Sequence, residues 1–166
     1  MALSEFTVAG ALVESADGLL LVRNQRRNGA TDWSTPGGVI DATDPSLRAG
    51  LAREVEEETG LRVTDWEGPV YEVRATAVDM GWVMRCEVHR ALAFEGDLVV
   101  DDPDGIVIEA AFAASDACSE FLALCAPWVR EPLADWIEHR WGPGDARVYT
   151  YDVFGTSRDE LRVVRT

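Results

Sequence analysis

Apolar positions fall into short runs separated by polar and glycine-bearing breaks, with one clear helical stretch in the first half of the chain. Residues 6–13 (FTVAGALV) and 18–23 (GLLLVR), joined by the polar turn 14–17, predict two strands of an opening hairpin. Residues 24–31 predict a loop, Thr35-Pro36-Gly37-Gly38 a tight turn, and residues 41–45 a second loop. A helix follows at about 46–59, with Ser46 or Asp44 able to cap its start and Gly60 placed as its stop. Further strands are expected near 61–65, 70–78, 82–94 and 106–112, with an acidic loop over 95–105. Residues 115–126 and 128–140 predict helices, and 147–154 with 161–164 a C-terminal hairpin, an extension over about 145–166. With no repeat or linker in view, this mixture predicts one domain over 1–166, an α/β or α+β sandwich around a curved mixed sheet.

The helix breaks a local rule at its end. At about 100° per residue, Leu51, Ala52, Val55 and Thr59 form an apolar stripe, and Glu54, Glu57 and Glu58 share a neighbouring arc. Glu56 falls outside that arc and is expected in solvent. The last turn of a helix carries partial negative charge, so each carboxylate there costs ~0.3–1 kcal/mol. Such a violation points to a site where a hard divalent cation neutralises the cluster; a solvated charged face is the plainer alternative.

Composition narrows the chemistry. A formal charge of −15 repels a phosphate backbone, so a nucleic-acid duplex is not an expected partner. All 15 basic residues are arginine, which excludes a catalytic lysine, a Schiff base and a P-loop lysine. Cys86, Cys118 and Cys125 show no metal-ligand spacing and are expected as free thiols. With neither an apolar run of membrane-spanning length nor a secretory-type start, a cytoplasmic protein without a membrane partner is expected.

The segment from Gly38 through Asp44 to Arg53-Glu54-Val55-Glu56-Glu57-Glu58-Thr59-Gly60-Leu61 resembles the Nudix box, G-x5-E-x7-R-E-U-x-E-E-x-G-U with U aliphatic, and Pro36-Gly37-Gly38 resembles the turn that leads into it. The second half fits at every fixed position. In the first half Asp44 stands where the family has glutamate, and eight residues rather than seven separate it from Arg53. The resemblance implies a Nudix-type (MutT-like) α/β/α sandwich. It implies Glu54, Glu57 and Glu58 as ligands of Mg²⁺ or Mn²⁺, with Arg53 orienting a carboxylate by ion pairing. The implied reaction is hydrolysis of the pyrophosphate bond in a nucleoside diphosphate linked to another group, with nucleoside triphosphates and sugar nucleotides both open. A non-catalytic nucleotide-sensing module is the alternative.

For the general base, the resemblance points to a box glutamate or to Glu109, with Asp101, Asp102 and Asp104 as rivals. Arg23, Arg26 and Arg27 are candidates to grip substrate phosphates, and Gly38 to line the substrate site. Trp33 is a candidate to stack on a base or, alternatively, to anchor its loop in the core. His89 and His139 are expected at the surface, and the C-terminal hairpin offers an edge for a homodimer.

Overall fold

The computed structural model describes residues 2–166. The first apolar run forms β1 (Ser4–Leu12), and the chain continues through β2 (Glu14–Ser15), β3 (Gly18–Gln25), β4 (Thr31–Ser34) and β5 (Gly37–Val39). The expected opening hairpin is thus split between two sheets: β1 lies parallel to β7 (Trp82–Glu95) and antiparallel to β5, whereas β2 alone pairs back onto β3. Both runs are apolar on both faces, since Ala9, Ala11 and Leu12 in one and Leu19 to Val22 in the other are all buried. A strand buried on both sides reads the same whichever sheet it joins. The expected loop at 24–31 is shorter, residues 26–30, because β3 runs on to Gln25 and β4 pairs with it from Thr31.

The large sheet has the order β10-β9-β6-β7-β1-β5, with β6 at Arg62–Ala77, β9 at Arg147–Phe154 and β10 at Arg162–Arg165. It is mixed: β1/β7 and β6/β9 are parallel, and the other pairs are antiparallel. The two strands expected over 61–78 are one strand, β6, whose ladder to β7 is interrupted by register shifts between Val63 and Tyr71. The small sheet contains β2, β3 and β4, with β8 (Val107–Ala113) antiparallel to β3.

Two clusters of apolar side chains hold these layers together. Helix α1 (Leu47–Thr59) closes the first with Leu51 and Val55 against Ala9, Ala11, Val13 and Leu20. The second is closed by α3 (Pro127–His139) through Leu133 and Trp136 against Tyr71, Val73, Tyr149 and Tyr151. This is the expected α/β/α arrangement around a mixed sheet. Where 115–126 predicted one helix, α2 is confined to Cys118–Phe121 and followed by a 3₁₀ turn at Leu122–Leu124. His89 is also corrected: it is buried between Arg48, which donates from Nε to its Nδ1 at 3.4 Å, and Glu87 at 3.3 Å from its Nε2. Burial pulls its imidazole below the usual range, against the contact to Glu87. His139 is exposed, as expected.

A candidate metal and pyrophosphate site on helix α1

Ser46 is the residue that starts α1: its hydroxyl accepts the Ala49 amide at 3.1 Å. Asp44, released from that role, accepts the Asp41 amide at 2.9 Å and points at Arg53. Gly60 ends the helix in the left-handed conformation, where a side chain would be strained. The acidic loop then folds back on this end, with the Val99 amide donating to the Thr59 carbonyl at 2.9 Å. Within that loop Asp102 accepts the amides of Asp104, Ile106 and Val107 at 2.9–3.1 Å, which fixes the approach to β8.

Arg53 is the hub. Its Nε and Nη2 donate to the two carboxylate oxygens of Asp44, both at 3.0 Å, a two-point pair of the strong kind. Its Nη1 reaches Glu54 and Glu57, each at 3.2 Å, and Nη2 lies 3.5 Å from Asp41. The Arg53 guanidinium holds the Asp44 carboxyl below the usual range. Asp44 therefore makes the contact to arginine expected of the longer residue in the box, despite the extra residue in the loop. Gly50 gives it room: a Cβ there would stand 2.6 Å from Asp44 Oδ2.

Glu54, Glu57 and Glu58 all line one cavity of about 750 Å³, together with Asp41, Asp102 and Asp104. Glu58 is buried, and its Oε2 accepts the Gly37 amide at 3.2 Å. Burial, reinforced by the nearby charges of Glu54, Asp102 and Glu57, pushes its carboxyl up to about 8. Glu54 is also raised, chiefly by burial. Gly38 is a matter of space, because a Cβ there would lie 2.8 Å from the Glu54 carboxylate. Among the described residues, no three His, Cys, Asp or Glu side chains are gathered tightly enough to hold a metal as they stand. The donor set nonetheless fits a hard cation: it is all oxygen, it carries more negative charge than Arg53 offsets, and two of its members resist ionising without a cation.

The remaining expected site residues divide. Arg26 and Gly38 line the cavity. Arg26 is clamped by Asp32, its Nε and Nη2 both donating at 2.8 Å. Arg23 is instead paired across the strands with Glu109 at 3.4 Å, and neither residue is among those lining the cavity. Arg27 is exposed and also outside that lining. Trp33 packs edge-on against Phe121, 4.9 Å between ring centres, which is the anchoring alternative. Sequence reasoning missed Asn24, Asp32 and Ser34, because Asn24 falls in the stretch read as a loop and Asp32 and Ser34 lie between that loop and the turn, where no strand was expected. It also missed the apolar wall of the cavity, which comes from Val8, Val73, Met84, Val88, Trp128 and Val129.

The sequence model of the NUDIX domain family matches residues 5–136, and the chain belongs to that family. The "MutT-like protein" of Streptomyces ambofaciens is 46% identical over 61 residues, 37% of each chain. The "Putative 8-oxo-dGTP diphosphatase 2" of Mycobacterium tuberculosis (strain ATCC 25618 / H37Rv) is 41% identical over 63 residues, 38% of this chain and 44% of that protein. The chain thus covers less than half the length of these curated relatives. Among solved structures, a MutT NUDIX hydrolase from Burkholderia pseudomallei superimposes with a TM-score of 0.58 at 26% identity, over 68% of this chain and 85% of that one. No helix among the described residues is long and apolar enough to cross a membrane.

Proposed function

We propose that this chain hydrolyses the pyrophosphate bond of a nucleoside diphosphate linked to another group, using Mg²⁺ or Mn²⁺ held by Glu54, Glu57 and Glu58. The single observation that carries this reading is the convergence of those three carboxylates, with Arg53 locked to Asp44 behind them, on one cavity large enough for a nucleotide. When bound, the cation offsets the charge of the pyrophosphate and lowers the pKa of water. The chain's own residues do the rest. Arg53 fixes Glu54 and Glu57 in position. Glu58 is buried and held by the Gly37 amide, which fixes its carboxyl at the floor of the cavity. A carboxylate facing the cavity takes the proton from the attacking water as its oxygen bonds to phosphorus and the bridging P–O bond breaks. Glu57 and Asp104, which both line the cavity, are our candidates for that role; Glu109 lies outside the lining and pairs with Arg23. The apolar wall suits the organic part of a nucleotide. The name of the 8-oxo-dGTP diphosphatase relative favours a nucleoside triphosphate over a sugar nucleotide.

A panel of nucleoside triphosphates and sugar nucleotides, assayed with Mg²⁺ for release of phosphate, pyrophosphate or nucleoside monophosphate, tests this. Turnover by the wild type and its loss in Glu57→Gln support the enzyme. Tight binding of a nucleotide with no turnover identifies a sensing module instead. We also place the protein in the cytoplasm and expect the outer edge of β10 to be where a second copy would pair; fractionation and native mass read these two points.

A further inference from the structure

Asn24 is a buried amide on the wall of the active-site cavity, 7% exposed, and its hydrogen bonds fix which way it faces. Its Nδ2 donates to Asp32 Oδ1 at 3.1 Å and to Ser34 Oγ at 2.9 Å, so both amide hydrogens are used. Ser34 in turn donates to the Thr35 carbonyl at 3.2 Å, which leaves it no hydrogen to return to Asn24. The Asn24 Oδ1 is therefore a committed acceptor, and among the described residues no donor meets it. Beside it stands Arg26, whose Nη2 bonds the same Asp32 Oδ1 at 2.8 Å. Among the described residues its Nη1 has no hydrogen-bond partner, so donors remain on that guanidinium. Its charge is already matched by Asp32, which makes it a poor phosphate grip and a good directional donor.

We propose that Asn24 and Arg26, clamped side by side by Asp32, read the hydrogen-bonding edge of the nucleobase. The inference rests on the nucleotide pyrophosphohydrolase reading above and adds the specificity of the same cavity. An acceptor next to a donor fork is complementary to a flat, neutral group that presents an N–H beside a carbonyl oxygen. Guanine and uracil carry that lactam edge. Adenine and cytosine also present a donor, the amino group, beside an acceptor, but that acceptor is a ring nitrogen with one lone pair, whereas the lactam oxygen has two and can take two of the free N–H donors of Arg26. The apolar wall that includes Val73, Met84 and Trp128 accommodates the faces of the ring. A base of the second pattern leaves one guanidinium donor without a partner in the cavity, which is the basis for discrimination.

The test compares GTP, UTP, ATP, CTP and inorganic tripolyphosphate as substrates with Mg²⁺. The wild type is expected to favour GTP and UTP over ATP and CTP in kcat/KM, by about tenfold or more. Asn24→Leu and Arg26→Gln are each expected to lower the ratio of kcat/KM for GTP to that for tripolyphosphate by about tenfold. That ratio is independent of the folded fraction, so partial unfolding of either variant does not imitate the result. Calorimetric binding of the same four nucleotides to Glu57→Gln reads the preference without turnover. Equal handling of the four bases in both measurements, or ratios untouched by both substitutions, overturns the proposal. A binding preference without hydrolysis by the wild type overturns the enzymatic reading and leaves the base-reading one standing.

Discussion

Replacing Glu58 by Gln isolates the cost of holding negative charge at the buried end of the site. Glu58 is only 8% exposed, and its carboxyl is pushed from an ordinary value of 4.5 up to about 8. A folded-state pKa above the unfolded one means that the folded protein binds more protons between those values. The stabilising contribution is therefore complete below pH 4.5 and is lost as pH rises towards 8. At ~1.4 kcal/mol for each pH unit crossed, ionising Glu58 costs the metal-free fold at most about 3 kcal/mol by pH 7, and side-chain relaxation brings this to ~1–3 kcal/mol. Gln keeps an oxygen to accept the Gly37 amide and removes the charge. Thermal unfolding in chelator should show the two proteins equal near pH 4, with Glu58→Gln the more stable by roughly 3–10 °C at pH 8 for a chain of this size. The comparison of variant with wild type cancels the general self-repulsion of a protein with a charge of −15. Adding Mg²⁺ should reverse the order, because a ligand at 100 times its Kd contributes ~2.7 kcal/mol to the wild type and less to the variant. A variant that is less stable than wild type at pH 8 without metal, or a difference that does not change with pH, would refute this account.

Three further outcomes follow from the geometry. Gly38→Ala should reduce turnover about tenfold or more, with Tm nearly unchanged, since the new Cβ would displace only the mobile end of Glu54; steady-state kinetics beside a melting curve reads both. Leu51→Ala, at a fully buried position of α1, should cost ~2–5 kcal/mol in denaturant unfolding, and less than ~1 kcal/mol would contradict the packing described. Cys118 and Cys125, both buried and with thiols raised by that burial, Cys125 to about 11, should resist a thiol reagent at pH 8 in the folded protein and react once it is unfolded.

The acidic cluster was legible because it depends on one helix. Glu54, Glu57 and Glu58 lie within one and a half turns, and their shared face, with Glu56 turned out to solvent, follows from helical period alone. The departure in the first half of the box was legible only as a departure. Whether Asp44 could reach Arg53 across an extra loop residue depended on where the loop folded and on the space beside Gly50. His89 was misplaced because its neighbours are Arg48 from α1 and the Gly68 region of β6, contacts far apart in sequence. Asn24 and Asp32 were invisible as a pair for the same reason: they are opposite one another only once β3 and β4 pair, and that stretch had the polar composition of a loop.

Residue order was sufficient for everything a single element can place: the strands and helices in outline, the capped helix and its converging carboxylates, and the family resemblance they carry. Which sheet each apolar run joins, which arginine meets which carboxylate, and which side chains face the organic half of the cavity were decided by long-range pairing. The physical reason is that local periodicity orients a side chain relative to its own backbone, whereas its partner, its burial and hence its charge state are set by segments that approach only when the two clusters close.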